Sequence, residues 1–210
     1  MIEGYTDIGA STPEAMQISR KSRELISELI GDETMEDRIK QRCVIATGDP
    51  SVAGILRFVN HPFEAGLKAL ERGAPIYADI KMVAAGILKK GHKSQVELFI
   101  GQGDDLAEAK GITRSSAGVM ALQEKLSGAI VVIGNAPSAL LTLCSLMESG
   151  KAAPALVIGV PVGFVNAKES KERLRKISVP SISIEGTRGG TPFAVASLNE
   201  IINTYARAHP

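Results

Sequence analysis

The chain has 210 residues, 44% apolar and 22% charged, with a formal net charge of +1. Such a length suits one domain of roughly 100–200 residues, read here as 1–210, and the composition excludes a largely disordered polymer. Near-neutral charge excludes a basic nucleic-acid sheath. Aromatics at 4% with no tryptophan exclude the stacking platforms of single-strand binders.

Met1 to Ala10 lacks a positively charged start followed by an apolar core, so no signal peptide is expected. The longest apolar stretch, Ala152 to Val165, is interrupted by Pro154, Gly159, Pro161 and Gly163. It falls short of the roughly 20 apolar residues that cross a bilayer. The expectation is a cytoplasmic protein with no membrane partner. Its two cysteines, Cys43 and Cys144, lie in apolar runs and read as buried, reduced thiols.

In chain order, Thr12-Pro13-Glu14 predicts a helix start: a capping hydroxyl, a proline whose missing N–H costs nothing, and an acid in the first turn. Apolar residues from Ala15 to Ile30 recur at helical spacing, and Gly31 closes the helix. Cys43 to Thr47 reads as the first strand, followed by Gly48-Asp49-Pro50 and a helix to about Val59. Pro75 to Asp79 is the next strand, with a helix over Met82 to Lys89. Val96 to Ile100 is the third, and Thr113-Arg114-Ser115 opens a further helix. Ala129 to Ile133 leads through Gly134-Asn135-Ala136-Pro137 into a helix ending at Ser149. Ala155 to Val160 precedes a helix over Lys168 to Lys176, and Ser181 to Glu185 precedes a last helix over Thr191 to Ala206.

Fully apolar strands alternating with helices predict an α/β fold, a three-layer α/β/α sandwich with a mainly parallel sheet. Ile130 to Ile133 and Leu156 to Ile158 are its expected centre. Ligands of such sheets sit beyond the carboxyl ends of the strands, which directs attention to the loops 47–50, 79–82, 101–105, 134–138, 160–168 and 185–192.

Several chemistries fail there. Gly101-Gln102-Gly103 has Leu106 where a dinucleotide fingerprint needs its third glycine, and Asp104 and Asp105 would repel a pyrophosphate. No phosphate loop or Gly-x-Ser-x-Gly elbow occurs. His61, His92 and His209 are scattered singly, so no metal site is expected. What remains at the strand ends is Thr47, Asp49, Asp79, Lys81, Asn135, Ser138, Asn166, Lys168 and Arg188, with Arg114 joining from the same rim. Cations and bare amides at helix starts make receptors for carboxylates, and the glycines admit a large flat ligand. Each residue also has a plain structural role open to it. Asp49, Asp79, Asn135, Ser138 and Asn166 suit helix caps, Gly189-Gly190 a tight turn, and Arg114 and Arg188 surface ion pairs. A common site requires Arg114, Asn135 and Arg188 to share one cavity.

At these segments the chain resembles the precorrin-8X methylmutase family of cobalamin biosynthesis. The resemblance rests on Ile133-Gly134-Asn135-Ala136-Pro137-Ser138-Ala139-Leu140 and on the run from Val157-Ile158-Gly159-Val160-Pro161-Val162-Gly163-Phe164-Val165 through Asn166 to Lys171. Asp79 to Gly86, Thr113-Arg114-Ser115 and Arg188-Gly189-Gly190 match in the same order, from about residue 13 to 205. The resemblance implies an isomerase that moves a methyl group from C11 to C12 of a corrin precursor, cobalt-containing or cobalt-free, without a cofactor. It also implies a homodimer with the site near the subunit interface. Asp79, Ser115, Asn135, Ala136, Arg188 and Gly189 become the expected substrate-binding residues. The family places a histidine in a pattern like Arg-x-Ile-His-Ala-Thr-Gly, thought to protonate the substrate; this chain reads Arg42-Cys43-Val44-Ile45-Ala46-Thr47-Gly48, with Ile45 in its place. Thr47, Lys81 and Arg114 are then the catalytic candidates, with His61 as a replacement acid. The alternatives are a non-catalytic corrinoid binder and an unrelated enzyme of carboxylated small molecules.

Overall fold

The computed structural model describes residues 7–209. Residues 1–6, on which part of the signal-peptide reading of Met1 to Ala10 rests, lie outside it. In chain order the elements are α1 (Pro13–Ile30), α2 (Met35–Thr47), β1 (Leu56–Val59), α3 (Pro62–Glu71), β2 (Ile76–Ala78), α4 (Lys81–Gly86), β3 (Val96–Leu98), α5 (Asp104–Lys110) and α6 (Arg114–Leu122). They continue with β4 (Ile130–Ile133), α7 (Pro137–Glu148), β5 (Leu156–Gly159), α8 (Ala167–Arg175), β6 (Ser181–Ile184) and α9 (Thr191–Ala208). No helix among the described residues is long and apolar enough to cross a membrane.

The strand order is β1-β6-β5-β4-β2-β3. Every pairing is parallel except that of the edge strand β1 with β6. Alternating side chains feed two cores. Ile76, Ala78, Ile130, Val132, Leu156, Ile158 and Ile182 meet α2, α3, α4 and α9. Tyr77, Val131, Ile133 and Val157 meet α6, α7 and α8 on the other face. This is the expected three-layer sandwich, and Ile130 to Ile133 and Leu156 to Ile158 are fully buried at its centre.

Two neighbouring elements correct the sequence reading. The helix expected to reach about Val59 gives way at Leu56 to strand β1. Cys43 to Thr47 is the last turn of α2, not a strand. Thr34 and Asp37 form a capping box at its start, and Gly48 closes it in the left-handed conformation at φ 67. Ile39, Cys43 and Val44 share the buried face. Tertiary packing of that face overrides the β-branched run. The first strand instead follows a 3-10 turn over Pro50–Ile55.

The outer layer is fixed by buried charge. Arg23 of α1 donates from Nη1 to the Arg38 carbonyl at 2.9 Å and to Gln41 Oε1 at 2.8 Å, and from Nη2 to Glu200 of α9. Arg42 donates to Asp7 at 2.8 Å. Both cysteines are free and buried, as expected, and burial pushes each thiol up to about 12.

Candidate active site

The parallel strands β2, β4, β5 and β6 end at one edge of the sheet, and antiparallel β1 begins there. Five segments therefore gather: 48–51, 79–81, 134–137, 160–166 and 185–190. Contacts join them, and the start of α6, into one rim. Thr113 Oγ1 lies 2.8 Å from Ser138 Oγ, bringing the α6 start to that of α7. Gly134 packs so closely between α4 and α9 that a Cβ there would stand 3.0 Å from Val83 and 3.1 Å from Ala194. Gly190 N donates to the Val160 carbonyl at 2.8 Å, and Gly163 N to the Thr187 carbonyl at 3.1 Å. Arg188 Nη1 donates to Asp49 Oδ2 and Ser51 Oγ, each at 2.9 Å.

The sheet has a switch point within this rim. Strands β2 and β4 are neighbours, but β2 leads to α4 on one face and β4 to α7 on the other. Asp79 fills the junction. It is fully buried, and its Oδ2 accepts the amides of Asn135 at 2.7 Å and Ala136 at 3.0 Å. Burial pushes this carboxyl above its usual range, against the downward pull of those amides. The arrangement corrects one expectation: the amides of 135 and 136 face inward to Asp79 and are not bare receptors for a ligand. The amides of Gly163 and Gly190 are likewise committed to the neighbouring loop. What the rim offers outward is side chains.

Lys81, Arg114, Asn135, Lys168 and Arg188 are all exposed. Arg114 holds Asp104 with two bonds, at 2.9 and 2.7 Å, Arg188 holds Asp49, and Lys168 Nζ stands 3.8 Å from Glu172. Hydrogen bonds from Ser51 to Asp49, and from Arg114 to Asp104, hold both carboxyls below the usual range. Exposed pairs of this kind contribute little stability, so each cation is free to exchange its partner for a ligand carboxylate. Ser115 is half-buried in the first turn of α6, Ala136 is buried, and Gly189 packs on the carbonyls of Val160 and Pro161. Thr47 turns its hydroxyl back to the Cys43 carbonyl at 2.8 Å.

Hollows open among the described residues at and beside these elements. One of about 670 Å³ is lined by Ser51, Lys168, Arg175, Glu185, Thr187 and Arg188, among others. Neither Arg114 nor Asn135 lines it or the two smaller hollows, so the expectation that these two and Arg188 share one cavity is not met there; they share only an edge of the sheet. A second, about 330 Å³, lies between α2 and α9 and is lined by Arg42, Ile45, Pro192 and Val195. A third, about 240 Å³, lies between α1 and α2 and includes Leu25, Ile26 and Ile45. Ile45 borders both of the latter. His61 is at the opposite end of the sheet, because β1 runs antiparallel and its last residue, Val59, pairs with Ser181, the first of β6. Topology removes it as a replacement acid.

Lys171 is a residue that sequence reasoning missed. Fully buried on α8, it donates from Nζ to the Arg188 carbonyl at 2.5 Å and so holds the 186–190 loop. Its only sequence signal was membership of a charged helical run. Burial, and then Arg175, push the amine down to about 8. Between about 8 and its ordinary 10.5 the folded protein has released a proton that the unfolded chain still binds, so stability rises with pH across that window. The urea midpoint of the protein minus that of Lys171→Met should therefore grow from pH 7.5 to 10. A difference that stays flat refutes this.

The fold and the rim describe an α/β/α protein with exposed cations along the carboxyl ends of its strands. The profile of the precorrin-8X methylmutase family matches residues 17–204. The chain is 42% identical to the cobalt-precorrin-8 methylmutase of Methanocaldococcus jannaschii, over 95% of this chain and 98% of the relative. It is 40% identical to the protein of that name from Methanothermobacter thermautotrophicus, over 93% and 96%. The crystal structure of precorrin-8X methylmutase from Thermus thermophilus superposes with a TM-score of 0.84 at 36% identity, covering 91% of this chain and 97% of that one. The chain belongs to the precorrin-8X methylmutase family, isomerases of cobalamin biosynthesis.

Proposed function

We propose that this protein moves the methyl group from C11 to C12 of cobalt-precorrin-8. What carries the substrate reading is the family match over residues 17–204, which agrees with the spread of the cationic rim. From β2 to β6 the rim crosses three strand spacings, about 14 Å. A nucleotide base does not need that span, whereas a macrocycle with acetate and propionate arms does. Lys81, Arg114, Lys168 and Arg188 take the arms through charge-assisted bonds, beside the side chains of Asn135 and Ser115. Asp79 and Gly189 act from behind, holding the 134–137 and 186–190 loops that carry Asn135 and Arg188.

A 1,5-sigmatropic shift keeps the methyl group within the substrate. The protein's tasks are to grip the ring, fix its shape and stabilise charge on it. Ile45 can neither give nor take a proton, and the Thr47 hydroxyl is engaged with its own helix. The rim cations therefore carry the electrostatic part. The family resemblance also implies a homodimer. Exposed Ile18, Leu25 and Leu29 make an apolar stripe on α1 that suits a second copy, and Leu25 also lines the hollow beside Ile45.

Purified protein incubated with cobalt-precorrin-8 should change the corrin absorption spectrum. Ile45→His, which restores an acid between two hollows, should raise kcat by roughly 10²–10⁴-fold, the range of general-acid contributions. Binding without any spectral change would favour the second reading, a corrinoid carrier, which the isoleucine itself motivates. Normal binding by Ile45→His with an unchanged rate would show that no acid is missing at this position.

A further inference from the structure

The loop between β5 and α8 carries an apolar tip that the fold does not use. Phe164 is 94% exposed, Val165 77% and Val162 45%. Across the end of β4, Met82 in the first turn of α4 is 66% exposed. Exposed apolar groups gathered at one place mark a binding surface. The base of this tip is firmly held. Val160 and Ala167 are fully buried, Gly163 N is bonded to Thr187, and the Val160 carbonyl accepts from Gly190. At Asn166, φ 62 turns the chain sharply into α8. The strand order β5-β4-β2 sets the tip and Met82 on opposite flanks of the Gly134-Asn135 loop.

The charges nearby indicate the occupant. Lys168 follows the tip, Arg188 lies beside it through the Gly163–Thr187 bond, and Lys81 precedes Met82. Apolar posts inside a cationic border complement an apolar ring with an anionic edge. A second copy docked tip to tip would bring these cations against themselves. We propose that Phe164 and Val165, opposed by Met82, are the contact surface for the apolar face of the corrin ring. The proposal rests on the reading of the rim as a corrinoid site and adds the residues that recognise the ring itself rather than its arms.

The test is a titration with cobyrinic acid, the expected product, followed by absorbance. Full burial of a phenylalanine makes the expected loss for Phe164→Ser roughly ten- to hundredfold in affinity, with Phe164→Leu recovering most of it. At 94% exposure the side chain contributes nothing to the core, so both variants should fold and keep their melting temperature. If the unaltered protein fails to bind cobyrinic acid, the corrinoid reading itself falls. If it binds and Phe164→Ser binds equally well, the ring contact alone is overturned. The ring contact is also overturned if Phe164→Ser keeps its affinity but loses either the dimer in light scattering or sedimentation with phosphatidylserine vesicles. The first would assign the tip to a second copy and the second to a lipid surface.

Discussion

Replacing Arg23 with methionine should destabilise the protein by about 3–5 kcal/mol, the cost of leaving one member of a buried ion pair unmatched. Arg23 is 1% exposed and Glu200 4%. Without the guanidinium, Glu200 keeps Arg42, whose Nε stands 3.9 Å away, as a more distant cation, and Gln41 Oε1 and the Arg38 carbonyl each lose the Arg23 donor. The double variant Arg23→Met with Glu200→Leu should recover much of that loss, since two apolar side chains of similar volume remove the stranded charge as well as the pair. Urea unfolding of the two variants tests this. A single variant within 1 kcal/mol of the parent, by the order of magnitude above, would mean that water reaches Glu200. The consequence extends beyond stability. The network pins α2 between α1 and α9, and the last turn of α2 brings Arg42 and Ile45 to the hollow facing Pro192 and Val195.

How much of this was legible in the sequence depended on how local each signal was. The parallel strands β4 and β5 are apolar on both faces, so Ile130 to Ile133 and Leu156 to Ile158 declared themselves as sheet centre. The start of α1 was legible because Thr12 and Pro13 act within one turn. Cys43 to Thr47 was misread because a β-branched run gives no period of its own. The capping box that makes it helical lies nine residues upstream of Cys43, at Thr34. The antiparallel sense of β1, which removes His61 from the rim, is set by pairing with a strand far along the chain. At the site, the residue types and their common edge were readable from the alternation of strand and loop. Their partners were not. Asp79 meets the amides of a loop 56 residues away, and Lys171 reaches a carbonyl 17 residues away. Those two contacts decide which polar groups face a ligand. The ion pairs of Arg114 and Arg188 were open alternatives in the sequence, and both are present.

Gly189→Ala should cost about 2–4 kcal/mol, from overpacking and from two broken loop hydrogen bonds, and lower corrinoid affinity by more than tenfold. A Cβ at this position would stand 2.2 Å from the Val160 carbonyl oxygen and 2.8 Å from that of Pro161. Both are backbone atoms at the end of the central strand β5, and they have no rotamer to change. The 186–190 loop must therefore lift away, taking with it the bonds from Gly190 to Val160 and from Gly163 to Thr187. Arg188, one residue before, is carried off the rim with it. Gly186→Ala is the contrasting case. It has φ 69 and open space around it, so it meets only the left-handed backbone penalty of about 1–2 kcal/mol for a non-glycine residue. It should keep its affinity for cobyrinic acid. Thermal unfolding and absorbance titration of the two variants separate strain from displacement. Equal behaviour of Gly186→Ala and Gly189→Ala in both measurements would show that the contact with Val160 does not hold the loop in place.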